Sequence, residues 1–173
     1  MDLVIVTAPA TAIFAKRVPA RSPYCDRAVG KRPPMEIIMA TIRKEIPITA
    51  SADKVWDVIR DVGAIHIRLA PGFVVDTRLE EGARIVTFAN GLVVRELIVT
   101  LDDECRRLAY AVTGGTPTHH NASFQVFPAT EGNHASLVWI TDILPDAIAG
   151  PFTAMIEAGT TVMKRTLDAQ GRQ

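Results

Sequence analysis

The order of hydrophobic periodicities along this chain constrains its fold more than any single motif. Apolar residues recur at spacings of three and four twice, briefly after residue 51 and at length over residues 146–168, and the stretch between them breaks into short alternating runs. Those runs read as strands over residues 74–79, 84–88, 92–101, 107–113, 119–127 and 135–143. Their punctuation is explicit at Glu81-Gly82, Asn90-Gly91, Asp102-Asp103, Gly114-Gly115 and Glu131-Gly132. A further strand over residues 40–48 brings the number to seven, expected to run as a meander. The pattern predicts an α+β chain: a curved antiparallel sheet around a long C-terminal helix, with two short helices after the first strand.

The first short helix is announced by Ser51 as N-cap and Asp53 in its first turn, with Val55, Trp56, Ile59 and Val62 on one face. It is expected to stop at Gly63, and a second helical turn is expected over residues 64–69 before Pro71 and Gly72 break it. The last helix carries Ile148, Phe152, Met155, Ile156, Gly159, Val162, Met163 and Leu167 on one stripe, and Pro145 or Pro151 suits its first turn, with Pro151 otherwise producing a kink. A curved sheet closed by such a helix leaves space between the two, and space of that kind takes a small apolar molecule.

At Asn90-Gly91 a two-residue turn would pair Thr87 with Val94 and Ile85 with Glu96. Thr87, Val94, Ile85, Glu96 and Ile98 then share one face, and Phe88, Val93, Val86, Arg95 and Leu97 the other. Each face holds one charge, so periodicity alone leaves open which looks inward.

The 173 residues suit one domain that buries its own core, and 19 basic residues balance 19 acidic ones without a basic stripe, which argues against a nucleic-acid partner. Cys25 and Cys105 are too few for a disulfide framework and lack the paired spacing of a zinc site, which fits a reducing cytoplasm. No apolar run is long enough to cross a membrane. The first 34 residues are rich in proline and keep no periodicity, so residues 1–38 are expected to be a poorly ordered leader, through a start placed too far upstream, and residues 39–173 the domain.

Several stretches together resemble the START-like helix-grip superfamily (SRPBCC), which includes bacterial polyketide cyclase/dehydrase-like proteins, birch-pollen-allergen-like proteins and plant abscisic-acid receptors. They are VWDVIRDVGAIH at residues 55–66, ARIVTFANG at 83–91, ELIVTLDDE at 96–104, GGTPTHHNAS at 114–123 and MIEAGTTVMKRTL at 155–167. The resemblance spans residues 41–167 and implies the helix-grip fold with a cavity for a hydrophobic ligand or lipid. By likeness to the receptors, Glu96 faces that cavity and Gly114-Gly115 lies in a loop over its mouth. Asn121 matches those receptors, whereas Ala122 stands for a ligand-contacting tyrosine, Gly159 for a polar residue, and their carboxylate-binding lysine has no counterpart. These departures argue against a hormone receptor and leave the cavity in place.

The residues expected to contact a ligand follow from these readings. Glu96, with Thr87, Val94 and Ile98 on its face, is the polar anchor or general acid/base, whose pKa desolvation would raise. His120, Ala122 and Phe124 share a face of their strand, and His119 points the other way, so the two histidines do not chelate a metal together. His66 lies near the mouth, and Trp56, Tyr110 and Phe152 belong to the large apolar inventory. Met155, Ile156, Gly159 and Met163 face the sheet, where methionine adapts to irregular ligands and glycine leaves volume. Ser51, Ser123 and Ser136 lack a nucleophile elbow, Gly114-Gly115 lacks the rest of a phosphate loop, and no metal or cofactor is indicated. The expected function is carriage or sensing of a small hydrophobic or amphipathic molecule. A polyketide cyclase or dehydratase using Glu96 or His120 is the alternative, and a protein-interaction role a third.

Overall fold

The structure, a computed structural model, describes residues 39–130 and 132–172; the expected leader over residues 1–38 lies outside them. One antiparallel sheet contains β1 (Ala40–Ile48), β2 (Val74–Glu80), β3 (Ala83–Phe88), β4 (Val93–Asp102), β5 (Arg107–Thr113), β6 (His119–Pro128) and β7 (Ala135–Leu144). Between β1 and β2 lie helix α1 (Ala52–Arg60) and a π-helical turn (Ile65–Leu69), and helix α2 (Ala149–Gly171) closes the domain after a short 3-10 turn (Asp146–Ile148). This is the α+β helix-grip architecture. The expected meander holds only from β2 to β7. In the seven-stranded order β1-β7-β6-β5-β4-β3-β2 the first strand pairs with the last, from Ala40 opposite Ile143 to Ile48 opposite Ala135. The helical segment between β1 and β2 carries the chain to the opposite edge of the sheet.

Alternation sets the buried face of each strand. Ala122, Phe124 and Val126 on β6 face inward with Leu137 and Ile143 on β7, and Ile46 and Ile48 continue that face on β1. On α1 the Ser51 hydroxyl accepts the Lys54 N–H, and Val55, Trp56, Val58 and Ile59 are buried. The helix ends at Arg60, short of Gly63, because the chain turns at once: the Val62 N–H donates to the Arg60 carbonyl and the Ala64 N–H to that of Asp61. Arg68 then ties the π-helical turn back to α1 by donating to Asp61 at 2.9 Å.

The β3–β4 hairpin corrects the expected register by one residue. The Phe88 N–H donates to Leu92 O, the Gly91 N–H donates to Phe88 O, and Gly91 has φ +85°, so the loop has three residues, Ala89, Asn90 and Gly91. Arg84 therefore stands opposite Glu96, Val86 opposite Val94 and Thr87 opposite Val93. A one-residue slip exchanges the faces of a strand. Thr87, expected to contact ligand, points away from α2, and Arg84, Val86 and Phe88 take the inner positions.

Helix α2 buries Ile156, Gly159, Met163 and Leu167, and Pro151 sits in its first turn, where it breaks no hydrogen bond. Its far end is fastened to the end of β1: Asp168 accepts from the Thr49 N–H at 2.8 Å and the Thr49 hydroxyl at 3.0 Å, and pairs with Lys164 at 3.0 Å. Further along, Lys44 on β1 pairs with Glu157 at 2.8 Å. Among the described residues no helix is long and apolar enough to cross a membrane.

Candidate functional site

Fastening α2 at one end holds it over the concave face of the sheet, and the two do not close completely. An inner space of about 70 Å³ remains between them. Its sheet wall is Tyr110, Phe124, Trp139 and Thr141; its helix wall is Phe152, Met155, Ile156, Gly159 and Met163. The π-helical turn contributes Ile65 and Leu69, and Phe73 and Phe88 close one side, edge to face at 5.5 Å between ring centres. A second space of about 100 Å³ lies under the loop that carries Gly114, Gly115, Thr116 and Pro117. The two spaces share Phe88, Glu96, His120, Phe152 and Met155 as lining, so these side chains stand at the passage from mouth to interior.

The register of β3 and β4 sets the electrostatics. Arg84 Nε donates to Glu96 Oε2 at 2.6 Å, with the two side chains only 3% and 7% exposed. Arg84 Nη1 also donates to the Val62 carbonyl at 3.3 Å, and its guanidinium lies 5.3 Å from the centre of the Tyr110 ring. Glu96 is thus half of an ion pair; the expectation of a lone desolvated carboxylate does not hold, because the slip in register brings a guanidinium opposite it. Burial, and after it the charge of Glu96, pushes the Tyr110 hydroxyl up, so it stays protonated. His120 packs edge-on against Phe152 at 5.4 Å, and burial, followed by repulsion from His119, lowers its pKa to about 4, which leaves it neutral at pH 7.

Two polar groups at the cavity wall make no hydrogen bond of good geometry among the described residues: Thr141 Oγ1, on a residue 1% exposed, and Trp139 Nε1, which is turned toward the Tyr110 hydroxyl. Buried polar groups are nearly always paired, so each marks a place where something else is expected.

Of the residues predicted from sequence, Glu96, Tyr110, His120, Phe124, Phe152, Met155, Ile156, Gly159 and Met163 border the inner space, and Val94 borders the space under the loop. Gly159 does so while touching the opposite wall: a Cβ there would stand 3.0 Å from Phe73 Cε1 and 3.5 Å from Trp139 Cζ3. Five others lie elsewhere. Thr87 is on the outer face, and Trp56 packs in the core with its Nε1 donating to Asp103 at 2.8 Å. His66 sits on the π-helical turn away from the lining, and Ile98 and Ala122 pack beside Tyr110 without bordering either space.

Arg84, Val86 and Phe88 were missed through the register of the hairpin. Trp139 and Thr141 carried a signal, because Ser136 and Asp142 mark the outer face of β7 and so assign the odd positions to the inside. Among the described residues no group of three or more His, Cys, Asp or Glu side chains is placed to hold a metal ion.

No curated protein matches the sequence. Solved structures do resemble it. The XoxI protein of Bacillus cereus has 18% identity and a TM-score of 0.67 over 74% of this chain and 95% of that one. A protein of Thermobifida fusca has 23% identity and a TM-score of 0.63, over 75% and 91% of the two chains. A point mutant of norcoclaurine synthase from Thalictrum flavum, solved with a transition-state analogue, has 22% identity and a TM-score of 0.60, over 77% and 97%. At these identities the likeness is one of fold. The family model described as polyketide cyclase/dehydrase and lipid transport matches residues 39–170, all of the sheet and nearly all of α2, and the chain belongs to that family.

Proposed function

We propose that the protein binds one small, neutral, hydrophobic or amphipathic molecule between its sheet and α2, and acts as a carrier or sensor for it. The observation that carries this reading is the state of the interior: a mostly aromatic and aliphatic space whose only ion pair, among the described residues that line it, is Arg84 with Glu96. A charged ligand would have to break that pair or enter without a counter-ion, and both are expensive away from water. Binding rather than catalysis follows from the same pairing, because a general acid or base needs a free titrating group near working pH.

An enzyme of the cyclase type is the second reading, and His120 favours it. This neutral imidazole stands at the passage between the two spaces, where it would meet a chain folded into the cavity. Native mass spectrometry of the full-length protein from its own host tests the first reading. A stoichiometric small molecule released on denaturation is expected. A protein that arrives empty and also fails to take up toluene or p-cresol would overturn it, and chemical conversion of the retained molecule that is lost in His120→Gln would move the assignment to the enzyme.

A further inference from the structure

Across the sheet, Tyr110, Ala122 and Thr141 stand in one row, with Tyr110 opposite Ala122 and Ala122 opposite Thr141. Two positions along β7 on the same face is Trp139, whose ring lies under Gly159 of α2. The Thr141 hydroxyl and the Trp139 N–H thus lie on one face of one strand, both atoms buried, neither with a well-formed hydrogen bond and both bordering the inner space.

We infer that Thr141 Oγ1 and Trp139 Nε1 form an oxygen-binding subsite, and that the ligand is a neutral, single-ring molecule carrying a hydroxyl or carbonyl oxygen. This rests on the binding reading above and specifies its ligand class. An indole N–H only donates, whereas a threonine hydroxyl donates or accepts. A ligand carbonyl accepts from both; a ligand hydroxyl accepts from Trp139 and donates to Thr141. A pure hydrocarbon leaves the Thr141 hydroxyl unpaired and the Trp139 N–H with only the Tyr110 hydroxyl beside it.

Size limits the rest of the molecule. An engineered apolar cavity of about 150 Å³ admits benzene. The inner space of about 70 Å³ falls short of that, and the adjoining space of about 100 Å³ under the 114–118 loop supplies the remainder. One substituted ring fits, with its oxygen at Thr141 and Trp139 and its other end toward His120 and Phe152. Fused-ring systems do not fit without displacement of the loop.

Titration of the full chain with p-cresol, toluene and benzoate, followed by proton–nitrogen NMR of the indole N–H groups, tests the subsite. The chain has two tryptophans, and Trp56 is the internal control because its Nε1 already donates to Asp103 at 2.8 Å. The expected result is about tenfold tighter binding of p-cresol than of toluene, a downfield shift of the Trp139 N–H with p-cresol only, a still Trp56 signal and no uptake of benzoate. Thr141→Val keeps the shape and removes the orphaned hydroxyl, so it should fold at least as stably as the wild type, bind toluene unchanged and lose most of the preference for p-cresol. Equal affinity for p-cresol and toluene, or a preference that survives Thr141→Val, would overturn the subsite while leaving the cavity reading standing, and uptake of benzoate would overturn the neutrality that both require. Failure of both neutral probes to bind would overturn the cavity reading and the subsite with it.

Discussion

Among the described residues the Arg84–Glu96 pair is the one place in the interior where two charges face each other out of water, and its energetics depend on both partners being present. Removing one leaves the other buried without compensation, which costs about 3–5 kcal/mol, whereas replacing both with apolar groups of similar size is close to neutral or stabilising. Arg84→Met and Glu96→Leu should therefore each lower stability by about that amount in denaturant titrations, and the double variant should recover most of the loss. Additive losses in the double variant would show that the two side chains are held by separate interactions. Glu96 itself was legible from the likeness to the helix-grip superfamily, which implied that it faces inward. Its partner was not, because a two-residue reading of Asn90-Gly91 places Ile85 opposite Glu96. The positive φ of Gly91 belongs to the third residue of a longer loop, and sequence alone does not distinguish the two hairpins.

At the scale of elements, strand and helix positions were readable because periodicity and turn residues agree along most of the chain. The pairing of β1 with β7 was not, since a strand followed by two helical segments carries no sign of the edge it joins. Helix α2 was legible as the element that closes the sheet, but not how closely its glycines approach their neighbours. A Cβ on Gly171 would run into the Thr49 carbonyl oxygen and come within 2.9 Å of the Ala50 Cβ, backbone and short side chain that have no room to yield. Gly171→Ala should therefore destabilise by roughly 1–3 kcal/mol, read as a lower melting temperature. Gly159 differs because the first atoms met belong to the far end of the Phe73 ring. There the gain of about 1 kcal/mol from alanine in a helix offsets a small ring displacement, so Gly159→Ala should stay within about 1 kcal/mol of wild type. Gly159→Leu should overpack by about 1–3 kcal/mol and abolish toluene binding; a stable leucine variant that still binds toluene would detach Gly159 from the cavity. The 114–118 loop covers the outer space and is exposed over Gly114, Gly115 and Thr116. Amide exchange there should slow on probe binding more than in the turn at residues 102–106, and equal protection in both would mean that the loop does not close over the ligand.

For the whole molecule, the neutral His120 couples stability to pH with a definite sign. In the unfolded chain this imidazole takes a proton as pH falls through its ordinary value of 6.5, whereas in the folded protein burial and the neighbouring His119 delay protonation to about pH 4. Between those values the unfolded state binds more protons, so stability is full above pH 6.5 and declines as the pH falls toward 4. A second decline begins lower. Hydrogen bonding with Arg43 and Ser136 holds the Glu45 carboxyl below the usual range, and the Cys105 N–H does the same for Asp102. At Asp168 burial pulls the other way, but the Thr49 N–H, Lys164 and the Thr49 hydroxyl outweigh it. Stabilisation from these three carboxylates is present above their unfolded values and lost as pH falls through the depressed ones. Melting temperature against pH should show an upper limb set by the histidine and a lower limb set by the carboxylates. His120→Gln should flatten the upper limb and keep the lower, and persistence of the upper limb would assign it to another group. Because His120 lines both spaces, a proton on it also places a charge at the passage to an interior whose other charges are paired. Binding of p-cresol should therefore weaken near pH 4 in the wild type, under conditions where the chain is still folded, and much less in His120→Gln. The two measurements together separate loss of the pocket from loss of the fold, because binding is read at a pH where the chain is still folded.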